Sequence, residues 1–477
     1  MGIGTEVGMN GKHRDGVRAD ASAVATEMPS PAGHSRVRAI LAWLRRFMPL
    51  LTALGTLLMG GFFLARTPVG HTPDVWSHVY RISSITHGDL LAHPVHSRSF
   101  LHNVGEGAVG GRVDRAWVDY GWSVFDGYDA SIALRESVEP GPGDLVDLPF
   151  NNTATNSPVS YAPQILAFGI GGILHLPVSA IYRAAEVCML LVYSLCMFLG
   201  VRVLTRWRIG VGLTMLLPPL LFRSSFAISA DSFTQAVVFL FTCMVFRSVY
   251  EKVSHRYCIL LGAVGLVVAM SKFIYMPLVL VMLLVPLLQK WVRGLDRVNR
   301  LDLASTAGFG VLSLVWMGIW MRGNGWYATA PMFVSYQAMQ SRRHDLLIPG
   351  GLGDAICRIV WAILHGQSNN MVQGGSRSII LAWAGTALLV VILVLATLAR
   401  TGSNPDLVFS WCFTLLGLGV LALTYLALWL QYSNPGLPGV QGMQLRYFFP
   451  LALGCALAAL TSARTLLFWF RNRRRVK

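Results

Sequence analysis

Residues Ile379–Leu398 read IILAWAGTALLVVILVLATL, a run without a single charge between Arg377 and Arg400. At about 1.5 Å per residue a helix of roughly 20 residues covers the hydrocarbon core of a bilayer. The stretch from Asp406 to Gln431 repeats the pattern, with no charged residue after Asp406. Over the whole chain of 477 residues, 54% are hydrophobic and 13% charged, which excludes a disordered chain and an ordinary soluble domain. Length therefore counts helices here, and the fold class is an all-α polytopic membrane protein.

The excess of 39 Lys and Arg over 23 Asp and Glu, a net charge of +16, first suggests an anionic polymer. Those cations collect at the ends of apolar runs instead of along one soluble face, so they read as topology signals and nucleic acid is not an expected partner. Cys188, Cys196, Cys243, Cys258, Cys357, Cys412 and Cys455 form no C-x-x-C pair and no ligand spacing with histidine. Neither a disulfide framework nor a zinc site is implied.

Eleven apolar segments are legible: Phe47–Ala65, Tyr161–Leu176, Ala184–Leu204, Ile209–Phe222, Phe233–Tyr250, Tyr257–Met270, Phe273–Leu288, Leu303–Met321, Ile379–Leu398, Leu407–Leu430 and Tyr447–Phe470. Basic residues flank both ends, Arg36, Arg38, Arg45 and Arg46 at one and Arg471, Arg473, Arg474, Arg475 and Lys477 at the other. The positive-inside rule puts both termini in the cytoplasm, which requires an even number of crossings. Tyr161–Leu176, short and bounded by Pro158, Pro163 and Pro177, is the segment that should not cross. About ten transmembrane helices follow, in the cytoplasmic membrane. Residues 1–46 are expected to be a disordered basic cytoplasmic tail and 471–477 a second basic tail, flanking an integral membrane domain over 47–470. Phe47–Ala65 lies too late and runs too long for a signal peptide.

Arg66–Val159 holds 11 of the 23 acids and six arginines, and it forms a large first extracytoplasmic loop. Arg223–Ser232, Arg322–Ser378, Tyr432–Arg446 and the Ser271–Lys272 bend should share its face. Within the first loop, Arg115 to Gly127 mixes aromatics with polar residues and suggests a short strand or hairpin. No internal repeat of helix groups is seen, which weakens an inverted-repeat transporter.

Four places could carry chemistry. Asp74, His78 and Arg81 recur at helical spacing just after the first crossing, where a carboxylate, an imidazole and a guanidinium could take a proton and hold a phosphate. An amphipathic helix start would look the same. Asp231 and Arg223 sit between two crossings, where ionisable groups are costly unless they pair or line an aqueous cavity; helix-end marking, with Asp231 as a cap, is the plainer account. Lys272 interrupts two apolar runs and needs a partner, either an anionic lipid phosphate or Asp231, or else snorkels. Arg446 closes a Pro/Gly-rich loop suited to phosphate capture, or simply marks a turn. His93 and His96 do not make a metal site, for they lack a closing pair of ligands.

At these residues the sequence resembles a bacterial membrane family catalogued as domain of unknown function 2142, grouped with the GT-C glycosyltransferases. The resemblance runs over roughly Thr67–Leu467. It rests on Pro73-Asp74 with His78, Asn156 to Pro163, Ser229-Ala230-Asp231, Ser271 to Tyr275, and Gln441-Gly442 followed by Arg446 to Pro450. It implies a polyprenyl-phosphate-linked sugar as donor, a glycan or glycolipid acceptor, and an acidic base on the first outer loop. Asp74 is then the catalytic base, and His78, Arg81, Asp231, Lys272, Gln441, Arg446 and Tyr447 bind substrate. Val75 stands where the family commonly has a second acid, which disfavours a divalent metal, so no cofactor is expected. The family's usual compact Gln-Gly-Arg-Tyr is expanded here by Met443, Gln444 and Leu445 before Arg446, an insertion expected to shift Arg446 by most of a helical turn. Besides membrane lipids, the partners expected are therefore the lipid-linked sugar and its acceptor. A non-enzymatic transporter or flippase of lipid-linked glycans is the rival class; its mark would be charge buried mid-helix, whereas most charges here lie at helix ends.

Overall fold

The computed structural model describes residues 31–96, 108–126, 139–140, 144–217, 223–328, 336–364, 375–399, 405–433 and 440–476. The chain divides into two compact units, Met1–Arg46 and Phe47–Lys477. In the first, the residues from Pro31 on are helical, part of α1 (Pro31–Arg66). The reason lies in the chain itself: Val37, Ile40, Leu41 and Leu44 are interleaved with the arginines, and proline suits the opening position of a helix.

Among the described residues seven helices are long and apolar enough to cross a membrane: Arg36–Arg66, Val178–Val203, Ala230–Tyr250, Phe273–Arg293, Arg300–Asn324, Pro405–Gln431 and Phe449–Asn472. His255–Ser271 and Trp383–Ala399 are shorter apolar helices. The seven and the two shorter helices coincide with nine of the ten segments expected to cross, seven of them at membrane length. In the tenth, Ile209–Phe222, the described residues include the helix Arg208–Thr214, and those from 218 on lie outside the described set. The segment Tyr161–Leu176 forms a helix of 12 residues, Ala162–Ile173, about 18 Å long and too short to span. It packs one face closely on Val178–Val203, where a Cβ on Gly171 would come within 2.6 Å of Ile181.

We number the helices used below α2 (Val75–Thr86), α3 (Arg115–Ser123), α4 (Ala162–Ile173), α5 (Val178–Val203), α6 (Arg208–Thr214), α7 (Ala230–Tyr250) and α8 (His255–Ser271). Helix α7 is central. In its membrane-length window 89% of residues are buried, against 17% in Arg300–Asn324, so one is packed all round and the other faces mostly outward. The main core gathers α5, α7, α8, the Phe273–Arg293 stretch, Pro405–Gln431 and Phe449–Val476 around Phe239, Phe241, Met282 and Phe413.

Phe273–Arg293 is not a continuous α-helix. It opens with 3-10 turns at Phe273–Tyr275, passes through Met276–Val279, tightens again at Leu280–Leu284 and continues as α-helix over Val285–Arg293. Pro277 and Pro286 remove the N–H groups that regular helix bonding would need there.

A second core lies in the polar loop. The all-α expectation misses a small four-stranded antiparallel sheet there, in the order β1 (His93–Pro94), β2 (Val109–Asp114), β4 (Leu145–Pro149), β3 (Glu139–Pro140). Helix α2 packs on it through Val75, Trp76, Val79, Tyr80 and Ile82. Arg115–Ser123, read as a strand or hairpin, is helix α3: Trp117, Val118 and Gly121 are buried at helical rather than alternate spacing, and Trp117 stacks on Phe168 of α4 at 4.6 Å. The strands are its flanks.

Candidate functional site

Asp74 is the residue before α2, and its backbone is left-handed, φ 61° and ψ 10°. Asparagine and aspartate tolerate that region better than most side chains, yet it remains uncommon outside glycine. An aspartate here ordinarily turns back onto the first N–H groups of the helix, a cap worth about 1 kcal/mol. Asp74 makes no such bond. Its Oδ2 instead accepts from Arg446 Nη2 at 2.6 Å, and its Oδ1 accepts from Asn152 Nδ2 at 3.2 Å. Burial works to raise its pKa, but the charge and hydrogen bond of Arg446, together with His78, hold it below the ordinary carboxylate value.

Asp231 lies in the first turn of α7, capped not by itself but by Ser229, whose Oγ accepts from the Asp231 N–H at 3.1 Å. That leaves its carboxylate for cations. Lys272 Nζ donates to Oδ1, and Arg446 Nε stands 3.3 Å from Oδ2. Lys272 can reach because α8 ends at Ser271 and Lys272 itself is extended, φ −145° and ψ 122°, before the 3-10 turn. Arg446 arrives on a 3-10 turn, Leu445–Tyr447, beside Gly442, whose φ of +78° and close approach to the Tyr432 ring both exclude a side chain. The three residues after Gly442 thus bring Arg446 to Asp74 instead of displacing it. Burial works against the Arg446 charge, but Tyr447, Asp74 and Asp231 outweigh it and push its pKa above the usual guanidinium value. The ring of Tyr447 lies 5.5 Å from both the Lys272 ammonium and the Arg446 guanidinium carbon, within cation–π range. Its carbonyl accepts from the Tyr275 hydroxyl at 3.0 Å.

His78 is buried one turn after Asp74. Its Nδ1 lies 2.7 Å from the Tyr161 hydroxyl and its Nε2 3.3 Å from Ser229 Oγ. The Tyr161 oxygen also accepts from Asn156 Nδ2 at 3.0 Å. Burial, only partly offset by the charges of Asp231 and Asp74, lowers the His78 pKa to about 4. The imidazole is neutral near pH 7 and ties α2 to the start of α7. Because the unfolded chain takes up this proton below about pH 6.5 and the folded one only near pH 4, stability falls as pH drops through that window. His78→Gln should flatten the acid limb of a melting-temperature profile between those values. The half-buried His87, raised by its bond to Asp114, acts in the opposite sense above that range.

Two expected site residues do not meet the cluster. Arg81 is fully buried and spent on backbone, donating to the carbonyls of Asp89 at 3.0 Å, Leu90 at 2.6 Å and Asn156 at 3.4 Å. The spacing that puts Arg81 on one helical face with Asp74 assumes both are helical, and Asp74 is not. Gln441 is buried beneath the loop, its N–H donating to Ser433 Oγ at 2.9 Å, while its neighbours Gly442 and Gln444 reach the cavity wall. The Arg223 side chain lies outside the described residues.

A cavity of about 160 Å³ lies at the charged cluster, lined by Asp74, His78, Asp231, Lys272, Arg446 and Tyr447, with the polar loop Asn151–Asn156 as one wall. Sequence reading passed over that loop as a contributor; the sign it carried was Asn151-Asn-Thr-Ala-Thr-Asn156, a polar run ending at Pro158. A second cavity of about 140 Å³ lies between apolar helices, lined by Met270, Ile274, Trp316, Met317, Trp320 and Leu428. The two share Lys272, Tyr447, Asn152, Thr155 and Asn156 as walls. No group of three or more metal-ligating side chains occurs among the described residues.

Fold and site together define a multi-pass helical membrane protein with paired buried charges at one end of its helices. More particularly, the chain belongs to the predicted membrane protein family DUF2142, which it matches over residues 57–455. Every residue of the charged cluster falls inside that match. No curated protein and no solved structure matches the chain.

Proposed function

We propose that this protein is a glycosyltransferase of the cytoplasmic membrane, moving a sugar from a polyprenyl-phosphate donor to a cell-envelope glycan or glycolipid at the outer face. The observation that carries the reading is the wall shared by the two cavities. A molecule with a long apolar tail and an anionic head would place its tail among Met270, Ile274, Trp316 and Trp320 and its phosphate at Lys272 and Arg446. The acceptor hydroxyl oxygen then bonds to the sugar's anomeric carbon, the carbon–oxygen bond to phosphate breaks, and the hydroxyl proton passes to Asp74. Polyprenyl phosphate leaves, its charge met by the two cations. Besides taking that proton, the protein contributes orientation and charge stabilisation.

Release of polyprenyl phosphate by purified protein supplied with a defined polyprenyl-phosphate sugar and acceptor tests this. Binding without release would mark a carrier instead of a transferase. The orientation has its own test. A cysteine replacing Asp119 should react with an impermeant thiol reagent on intact cells, and one replacing Arg297 should not; the reverse pattern would invert the topology.

A further inference from the structure

The geometry points to a base that is masked until the donor arrives: the Arg446–Asp74 ion pair holds the carboxylate until a lipid phosphate takes the guanidinium, so donor binding precedes and permits the acceptor step. This rests on the lipid-phosphate reading above.

The charges at the polar cavity balance. Asp74 and Asp231 contribute two negative charges, Lys272 and Arg446 two positive ones, and every one of the four is already paired. His78, held neutral with both nitrogens engaged, adds none. An entering phosphate therefore finds no spare cation in the cluster and must compete for one. Arg446 is the one that can change partners with least loss. Its Nη2 holds Asp74, while its Nε lies near Asp231 without making a hydrogen bond.

The carboxylates differ in what they keep. If Arg446 turns to a phosphate, Asp231 retains Lys272. Asp74 retains the amide of Asn152, and its side chain, 26% exposed against 14% for Asp231, is the one that water and an acceptor can reach. The left-handed backbone at Asp74, with the usual helix cap forgone, is a conformation held in place by these tertiary contacts. While bonded to Arg446 the carboxylate is a poor proton acceptor, since its pKa is held down. Moving the guanidinium onto a phosphate removes that restraint at the moment a leaving group is in position.

If the phosphate and Asp74 compete for one guanidinium, removing the carboxylate must strengthen phosphate binding. The probe is a short-chain polyprenyl phosphate without sugar, and the readout is its apparent Kd from thermal stabilisation of the full chain in detergent. Asp74→Asn should bind it roughly tenfold more tightly than wild type, the scale of one charge-assisted hydrogen bond no longer broken. Asp74→Gly, which also accepts a left-handed backbone, should repeat the gain. In an Arg446→Met background the same Asp74 substitutions should give no gain. Equal or weaker binding by both Asp74 variants, or a gain that persists without Arg446, overturns the masked base while leaving the lipid-phosphate reading intact. Absence of binding in wild type and variants alike defeats that reading, and the masking with it.

Discussion

Asp74→Asn is expected to lower sugar transfer by a factor of roughly 10²–10⁴, the usual contribution of a general base, without unfolding the protein. Asparagine matches aspartate in volume and accepts the left-handed conformation that Asp74 adopts at φ 61°. Its amide oxygen can still accept from Arg446, so the contact joining the first loop to the Leu445–Tyr447 turn is weakened and not lost. What disappears is the ability to hold a proton. Release of polyprenyl phosphate, followed with donor in excess, measures the effect; near-normal turnover would remove Asp74 from the chemistry. The same substitution should tighten binding of the sugar-free lipid phosphate, so turnover and affinity move in opposite directions. A variant that was merely damaged would lose both.

Lys272→Met is expected to cost stability, and Asp231→Asn to restore much of it in the double variant. From the sequence, the lysine's partner could be a lipid anion or Asp231, and a lipid partner would make Lys272→Met harmless to the unliganded protein. The structure gives Asp231. Both side chains are largely shielded, 17% and 14% exposed, so deleting the cation strands a carboxylate in a poorly hydrated place. Removing one partner of a buried pair costs about 3–5 kcal/mol, and the remaining Arg446, with the residual exposure, places this case toward the lower end. Melting temperatures of the two single variants and the double variant form the cycle that decides it. Additive losses would show that the pair is not coupled. In the double variant, which keeps Arg446 and Asp74, binding of the lipid phosphate should still fall, because one of its two cations is gone.

The apolar segments were legible because the bilayer imposes a length and forbids charge, constraints that act on each stretch of chain separately. Ile379–Leu398 and Leu407–Leu430 became helices within a few residues of where hydropathy placed them. The reading faltered where local signals compete. Ile209–Phe222 is apolar enough to span, but its glycines and paired prolines weigh against a continuous helix, and the helix described there ends at Thr214. Arg115–Ser123 offered aromatics at short intervals and looked like a strand until Trp117 and Gly121 were seen on one buried helical face. The small sheet beside it has strands of two to six residues, too brief for a periodic signal.

Asp231 and Lys272 stood out in the sequence because an ionisable group beside an apolar segment is expensive and asks for a partner, Asp74 and His78 because their helical spacing joins a carboxylate to an imidazole, and Arg446 because it closes a Pro/Gly-rich loop. Each of these signals names a residue but not what answers it. Composition, the membrane-spanning pattern and the list of costly charges are properties of single segments, and the sequence by itself determined them. Which charge answers which was decided only by tertiary structure, since Asp74 and Arg446 stand at opposite ends of the family match and meet because α2, the break at Lys272 and the Leu445–Tyr447 turn converge on the start of α7. The same convergence took Arg81, one helical turn from His78, out of the cluster and into the backbone of its own loop. A pairing between distant segments depends on how whole helices pack, and no local pattern of residues encodes the distance between them.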